Sequence, residues 1–241
     1  MKIATWNVNS IRVRLEQVIQ WLQTHQPDVL ALQETKVEDQ HFPASSFSEI
    51  GYHAVYSGQK TYNGVALISK APLSEVCMTT PELSDPSMEI GEKRFIAATL
   101  GNTRLVNLYV VNGQEVGSPK YEYKLAWLDR IRSWLQQQLQ QYSRLIVVGD
   151  FNIAPEDRDV YDPEAWRERI LCSTPERDAL QKIQALGLED AFRQLDPSDG
   201  SYSWWDYRAA GFRRNRGLRI DLILASSNLS CRACEIDKEP R

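Results

Sequence analysis

The chain has 241 residues, 42% hydrophobic and 25% charged, with a formal net charge of −4. These are ordinary values for one soluble globular domain or two small ones, and no apolar run approaches the length needed to span a membrane. The acidic balance also excludes a basic field over the whole surface, so a polyanionic partner has to be held by a local patch.

In chain order, Ile3–Thr5 lies in an N-terminus that reads as a strand and not as a signal peptide. Residues 11–24 put Leu15, Val18, Ile19 and Leu22 on one face behind Ser10 as an N-cap, which predicts a helix. Strand-like runs follow at Val29–Leu32, Gly64–Ser69, Phe95–Leu100 and Leu105–Val111. Residues 121–142 return to helical spacing with Leu125, Leu128, Ile131, Leu135 and Leu139, and lead into the strand-like run Leu145–Val148. Ser173-Thr174-Pro175-Glu176 spells a capping box with proline in the first turn, opening a short helix that stops before Gly187. The last strand-like run is Leu218–Ala225.

No linker, repeat tract or composition break divides residues 1–241, so a single domain is expected. There is an internal echo: strand 2–5, helix 11–24 and strand 28–32 form one β-α-β unit, and 104–111, 121–142 and 144–148 form another. Many strands with few helices imply sheets packed on each other with helices outside, an α/β sandwich of four layers and two matching halves.

Polar residues gather where the strands end: Asn7 after the first, Glu34 after the second, Asp150 and Asn152 after Leu145–Val148. Asp221 lies inside an apolar run, where an unpaired charge is costly. On extended backbone, residues i and i+2 project to one side, so Asp150 and Asn152 converge on one point. Each has a local explanation: a turn contact for Glu34, an Asx turn for Asp150 and Asn152, an ion pair with Arg219 for Asp221. Together they form an oxygen-rich set suited to Mg²⁺ or Mn²⁺ and not to zinc.

A basic patch is available at Arg208, Arg213, Arg214, Arg216 and Arg219, with no acidic residue from 208 to 219. It reads equally as a phosphate-binding loop or as a solvated arginine-rich one. Cys231 and Cys234 have metal-type spacing but no second pair, which favours reduced thiols in a cytoplasmic protein. His25, His41 and His53 read as surface or turn residues.

Trp6-Asn7-Val8-Asn9, Leu32-Gln33-Glu34-Thr35-Lys36, Gly149-Asp150-Phe151-Asn152 and Asn215-Arg216-Gly217-Leu218-Arg219-Ile220-Asp221 resemble the exonuclease III family of Mg²⁺-dependent DNA-repair enzymes. The likeness runs from Met1 to about Ala225 and includes Gly64-Val65-Ala66-Leu67, Asn107-Leu108-Tyr109 and Ser203-Trp204-Trp205-Asp206-Tyr207-Arg208. It implies a deoxyribonuclease I-like αββα sandwich. It also implies Glu34 as the principal Mg²⁺ ligand with Asn7 beside it, and Asp150 as the group that orients or deprotonates the attacking water. Asn152 would hold that water, the metal or a phosphate oxygen, Tyr109 would bond the scissile phosphate, and Asp221 would support the cluster. Trp204, Leu218 and Ile220 match positions that line a small apolar pocket for an abasic sugar, and one of Trp204 and Trp205 is expected in the core. Arg208, Arg213, Arg214 and Arg216 become phosphate contacts, with Lys36 and Lys60 as weaker additions. The implied partners are double-stranded DNA, abasic sites and 3′ ends, handled by a monomer with no membrane association.

The family pattern continues past Pro240-Arg241 into a Ser-Asp-His motif and one more strand, which these residues do not include. The expectation is a C-terminally incomplete domain with sharply reduced nuclease activity, either a shortened chain or a relative that lost the strand. Two other functions compete: a superfamily phosphatase or phosphodiesterase on non-DNA substrates, and an inactive DNA-binding relative.

Overall fold

The computed structural model describes residues 1–79, 92–206 and 210–239. The first unit is β1 (Ile3–Asn7), α1 (Ile11–His25) and β2 (Val29–Gln33), with β1 and β2 parallel. The short α2 (Ala44–Glu49) leads into β3 (His53–Ser57) and β4 (Val65–Ser69), and β5 (Ser74–Cys77) precedes β6 (Phe95–Leu100). The second unit is β7 (Thr103–Tyr109), α3 (Pro119–Gln141) and β8 (Leu145–Asp150), again with parallel strands. Beyond it lie α4 (Pro163–Trp166), α5 (Thr174–Gln184), β9 (Leu188–Asp190), α6 (Ala191–Leu195), β10 (Trp204–Trp205), β11 (Gly217–Leu218) and β12 (Asp221–Ser226). Among the described residues no helix is long and apolar enough to cross a membrane.

Two sheets result, ordered β1-β2-β4-β3 and β5-β6-β7-β8-β12-β9, with β10 and β11 as a separate pair. Side chains alternate across a strand, and here both faces of the inner strands are apolar. Val29, Ala31, Val65 and Leu67 face Ile96, Ala98, Leu105, Ile146 and Val148 between the sheets. On the outer face of the first sheet, Leu30, Leu32, Ala66 and Ile68 pack against Ile11, Val18 and Leu22 of α1 and Phe47 of α2. On the outer face of the second, Val106, Leu108, Val147 and Leu222 pack against Trp127, Ile131 and Leu135 of α3 and Leu180 and Ile183 of α5. This is the four-layer αββα sandwich, with its two β-α-β units in matching places.

Of the three helices expected from the sequence, capping signals set two. The α5 capping box is formed, with Ser173 and Glu176 each satisfying the other's backbone. Ser118 caps α3 by accepting the Tyr121 N–H, with Pro119 in the first turn. Ser10 occupies the N-cap position of α1 but makes no side-chain cap hydrogen bond, because its backbone is at φ 104°.

The run Leu218–Ala225 is not one strand. It breaks at Arg219 and Ile220, whose N–H groups donate to Asp159 O and Ser203 Oγ instead of to a ladder. The cause is the Arg219 side chain, which turns inward and is 1% exposed. Its Nε donates to Asp159 Oδ1 at 2.7 Å and its Nη2 to Asp190 Oδ2 at 2.8 Å. Arg219 therefore belongs to the interior and not to the basic patch, and it does not pair with Asp221. Asp159 is fully buried and Asp190 nearly so. Replacing Arg219 by leucine leaves both carboxylates without this cation, at an expected cost of about 3–5 kcal/mol. Urea unfolding checks this: the midpoint should fall at constant m-value, and an unshifted midpoint refutes the assignment.

Candidate active site

The inward-facing row of each strand continues past the core to the same end of the sandwich. Ile3 leads to Asn7 on β1, Leu105 and Asn107 to Tyr109 on β7, Ile146 and Val148 to Asp150 on β8, while Ile223 and Ala225 follow Asp221 on β12. The period of two that buries the apolar members also aims the polar end-residues into one space. Glu34 follows β2 in that same place.

Asn7 is the junction. Its Nδ2 donates to Glu34 Oε1 at 2.7 Å and to Asp150 Oδ2 at 2.8 Å, while its Oδ1 accepts the Asn9 N–H. Glu34 Oε2 pairs with Lys36 Nζ at 2.8 Å, and Lys36 also donates to Asn9 Oδ1. Tyr109 lies close enough to Glu34 for the two to influence each other's titration, and the Arg94 guanidinium lies over its ring, 4.7 Å from the centroid. Asp221 stands directly opposite Asp150 in the β12–β8 ladder.

Asp150 and Asn152 come together by a turn and not by extended periodicity. The strand ends at Asp150, Asn152 is left-handed at φ 49°, and its N–H donates to Asp150 Oδ1 at 2.9 Å. The Asx-turn reading is correct, and the turn is what delivers both side chains to the site. Asn152 Nδ2 donates to Val110 O and its Oδ1 accepts from Asn112 Nδ2, which leaves one amide hydrogen. Gly149 is required beneath them: a Cβ there would lie 1.9 Å from Leu108 O, at φ 143°. Asn9, Glu34, Lys36 and Asn152 all hold positive φ, strain of the kind that clusters at functional loops.

Burial and charge divide the titrating groups. Burial pushes the Asp150 carboxyl up to about 6, against the Asn7 and Asn152 hydrogen bonds, with Glu34 adding to the rise. Burial raises Glu34 too, but Asn7 and Lys36 outweigh it and hold that carboxyl below its ordinary range. Tyr109 is pushed up by burial and by the Glu34 and Asp150 carboxylates, so its phenol stays a proton donor.

Two carboxylates opposite each other in a ladder repel, and Asn7 brings a third, Glu34, to the same place. Such a set favours a bound cation. Among the described residues no three of His, Cys, Asp and Glu form a metal cage. Mg²⁺ is held by one or two carboxylates with water and phosphate oxygens completing its shell. Glu34, Asp150 and the Asn7 and Asn152 amides are the groups that would hold it.

Trp204 pairs with Leu218 across β10 and β11, and both pack with Ile220, Ala154, Val160 and Leu171. Leu218 and Ile220 are buried in this cluster and Trp204 is half-buried, while Trp205 is core, as adjacent strand residues require. Arg213, Arg214 and Arg216 are exposed on the turn before β11, and Arg208 lies outside the described residues. The sequence reading missed Asn112, which bonds Asn152, and Lys124, which donates to the Asn112 and Asn152 carbonyls. Asn112 carried a faint signal as a polar residue just beyond Tyr109; Lys124 carried none, sitting among polar helix residues.

Comparison with known proteins places this geometry. The endonuclease/exonuclease/phosphatase family pattern matches residues 4–241. Exodeoxyribonuclease III of Haemophilus influenzae is 35% identical over 248 residues, covering 98% of this chain and 91% of that protein. The 3′ phosphatase NExo from Neisseria, bound to a product DNA hairpin, superposes with a TM-score of 0.90 at 46% identity, over 94% of this chain and 86% of its own. An AP endonuclease from Archaeoglobus fulgidus gives 0.87 at 40% identity, over 94% and 86%. The chain therefore belongs to the endonuclease/exonuclease/phosphatase family, in its exonuclease III branch, and is a hydrolytic nuclease.

Proposed function

We propose that this nuclease is a Mg²⁺-dependent phosphodiesterase of DNA repair, incising duplex DNA 5′ to abasic sites and removing nucleotides or blocking groups from 3′ ends. The observation that carries the reading is the Asn7 amide joining Glu34 to Asp150 at the open end of the inter-sheet layer. Relatives named as an exodeoxyribonuclease, a 3′ phosphatase on a DNA hairpin and an AP endonuclease support it.

In this reading water attacks phosphorus in line, the P–O3′ bond breaks, and the 3′ oxygen leaves with the bonding pair and takes a proton from solvent to become a hydroxyl. Asp150 orients the water and takes its proton, with a carboxyl that titrates near 6 and is therefore ionised at neutral pH. The remaining amide hydrogen of Asn152 and the phenol of Tyr109 donate to phosphate oxygens as negative charge builds on them. Mg²⁺, when bound, supplies Lewis acidity at a phosphate oxygen. Asp221 steadies the cluster from across the ladder. Trp204, over Leu218 and Ile220, offers an apolar face to a base-less sugar, whose extrusion costs little stacking. Arg208, Arg213, Arg214 and Arg216 grip the duplex backbone.

One labelled duplex with an abasic analogue and a free 3′ end tests the activity. Products at both positions in Mg²⁺ and none in EDTA are expected; a protein that binds the duplex but cleaves nowhere in Mg²⁺ is not this enzyme. Asp150→Asn separates chemistry from stability. Because folding raises its pKa from 3.8 to about 6, the folded state favours the neutral acid. The stability from that preference is full below the unfolded value and lost as pH rises through about 6. In EDTA the parent loses this stability as pH rises from about 5 to 8 and Asp150→Asn, which cannot ionise, does not, so the melting temperature of the variant minus that of the parent should rise over that range. Turnover in Mg²⁺ should drop by at least about 100-fold. A difference that stays constant from about pH 5 to 8 would contradict the raised carboxyl. For the arginines, Arg213→Ala with Arg214→Ala should lower the slope of log affinity against log salt by about 2; an unchanged slope removes them from the interface.

A further inference from the structure

Outside the reacting cluster, the sandwich buries a second ionisable group next to it. Lys124 projects from α3 with its side chain fully buried, against an equally buried Glu176 of α5. Its ammonium has three hydrogens and three acceptors surround it: Glu176 Oε1, Asn152 O at 2.7 Å and Asn112 O at 3.2 Å. The two carbonyls belong to different loops. One follows β7 and Tyr109; the other follows β8 and Asp150. Glu176 is committed elsewhere as well, accepting the Leu171 and Ser173 N–H groups and the Ser173 hydroxyl. Tyr121, one turn before Lys124, shares a hydrogen bond with Ser173. The cation is thus fixed from below by α5 and spends its other two donors on the turns that carry Asn112 and Asn152.

We infer that Lys124 is a positioning residue for the nuclease reaction: it locks the Asn112 and Asn152 turns together and so aims the Asn152 amide at the reacting phosphate. The inference rests on the role assigned to Asn152 above. The physical case is the mismatch between what is needed and what is present. Holding α3 on α5 needs only apolar contact, which Trp127, Leu128, Ile131, Leu180 and Ile183 already supply. A buried ammonium is an expensive addition to such an interface, and replacing a buried pair by apolar groups is often neutral or stabilising. What an apolar side chain cannot do is satisfy two converging backbone carbonyls. The Asn112 side chain repeats the link from the other side by donating to Asn152 Oδ1 at 3.1 Å. Lys124 therefore orders the carbonyl end of a contact whose amide end faces the reaction. Misplacement of such a group by about 1 Å costs on the order of 100-fold in rate.

The test compares Lys124→Met, the double variant Lys124→Met with Glu176→Gln, and Asn152→Ala, using the full chain and the labelled duplex in Mg²⁺. Lys124→Met leaves Glu176 buried as an unpaired charge and is expected to lose stability; the double variant removes both charges, keeps an acceptor oxygen for the Leu171 and Ser173 donors, and recovers melting temperature. The expected result is that the double variant, though stable, keeps kcat about 100-fold below the parent, with KM for the duplex within about threefold. If kcat returns with stability, Lys124 is a structural residue only and the inference falls. If KM rises and kcat is unchanged, its effect is on substrate binding and the inference falls as well. Asn152→Ala distinguishes the two levels: full turnover in that variant overturns the Asn152 role and the inference with it. Lost turnover there, with normal turnover in the double variant, overturns the inference alone.

Discussion

Asn107 ties the two sheets together from inside their shared core. Its Nδ2 donates to Leu32 O and Ala66 O, each at 2.9 Å, and its Oδ1 accepts from Gln33 Nε2 at 2.7 Å. Gln33 in turn donates to Thr5 Oγ1, so strands β1, β2, β4 and β7 share one polar knot in an otherwise apolar layer. Apolar packing is non-directional and resists separation of the sheets more than sliding. Hydrogen bonds in a low-dielectric interior are directional and costly to leave unmade. The knot therefore fixes how far one sheet is displaced along the other. Glu34 is one residue beyond Gln33, and Tyr109 two beyond Asn107. Their placement near each other is set by amides buried in the core.

The same geometry explains which parts of the fold are legible in the sequence. The β-α-β units are, because buried strands such as Val29–Gln33 and Leu145–Asp150 are apolar on both faces, and the helices between them keep one apolar stripe. Strands β3, β5 and β9 are not: His53–Ser57 and Ser74–Cys77 lie at sheet edges with mostly exposed or half-buried residues, and β9 is three residues long. Their identity comes from the neighbour they pair with, which no local pattern records. The polar strand ends are legible for a related reason. A strand whose apolar run turns polar marks where the core stops, and Asn7, Glu34 and Asp150 are three such marks that the fold collects; Asp221, the first residue of β12, joins them because the run Leu218–Ala225 breaks just before it.

Arginine 219 and lysine 124 show why side-chain partners escape sequence reading. Arg219 sits among arginines that are exposed, and nothing nearby distinguishes it; its partners Asp159 and Asp190 are 60 and 29 residues away. Lys124 lies on a helix where a charged residue ordinarily means a solvated face. In both cases burial is decided by elements distant in the chain. The exposed arginines at 213, 214 and 216 concentrate positive charge on one turn of an otherwise acidic molecule, and screening confines that charge to about 8 Å at physiological salt.

Two buried ionic groups thus flank the reacting cluster, one beneath each side. Lys124 and Glu176 sit under the turns after β7 and β8. Arg219, with Asp159 and Asp190, sits under the break between β11 and β12, immediately before Asp221. Buried pairs of this kind contribute little net stability against an apolar alternative, but losing one partner is severely destabilising. That asymmetry suits a site whose own groups work against the fold. Asp150 is buried, with Asp221 opposite it in the ladder and Glu34 drawn to it through Asn7. The flanking pairs make separation expensive at the two places where the backbone leaves its ladders, so the carboxylates stay together.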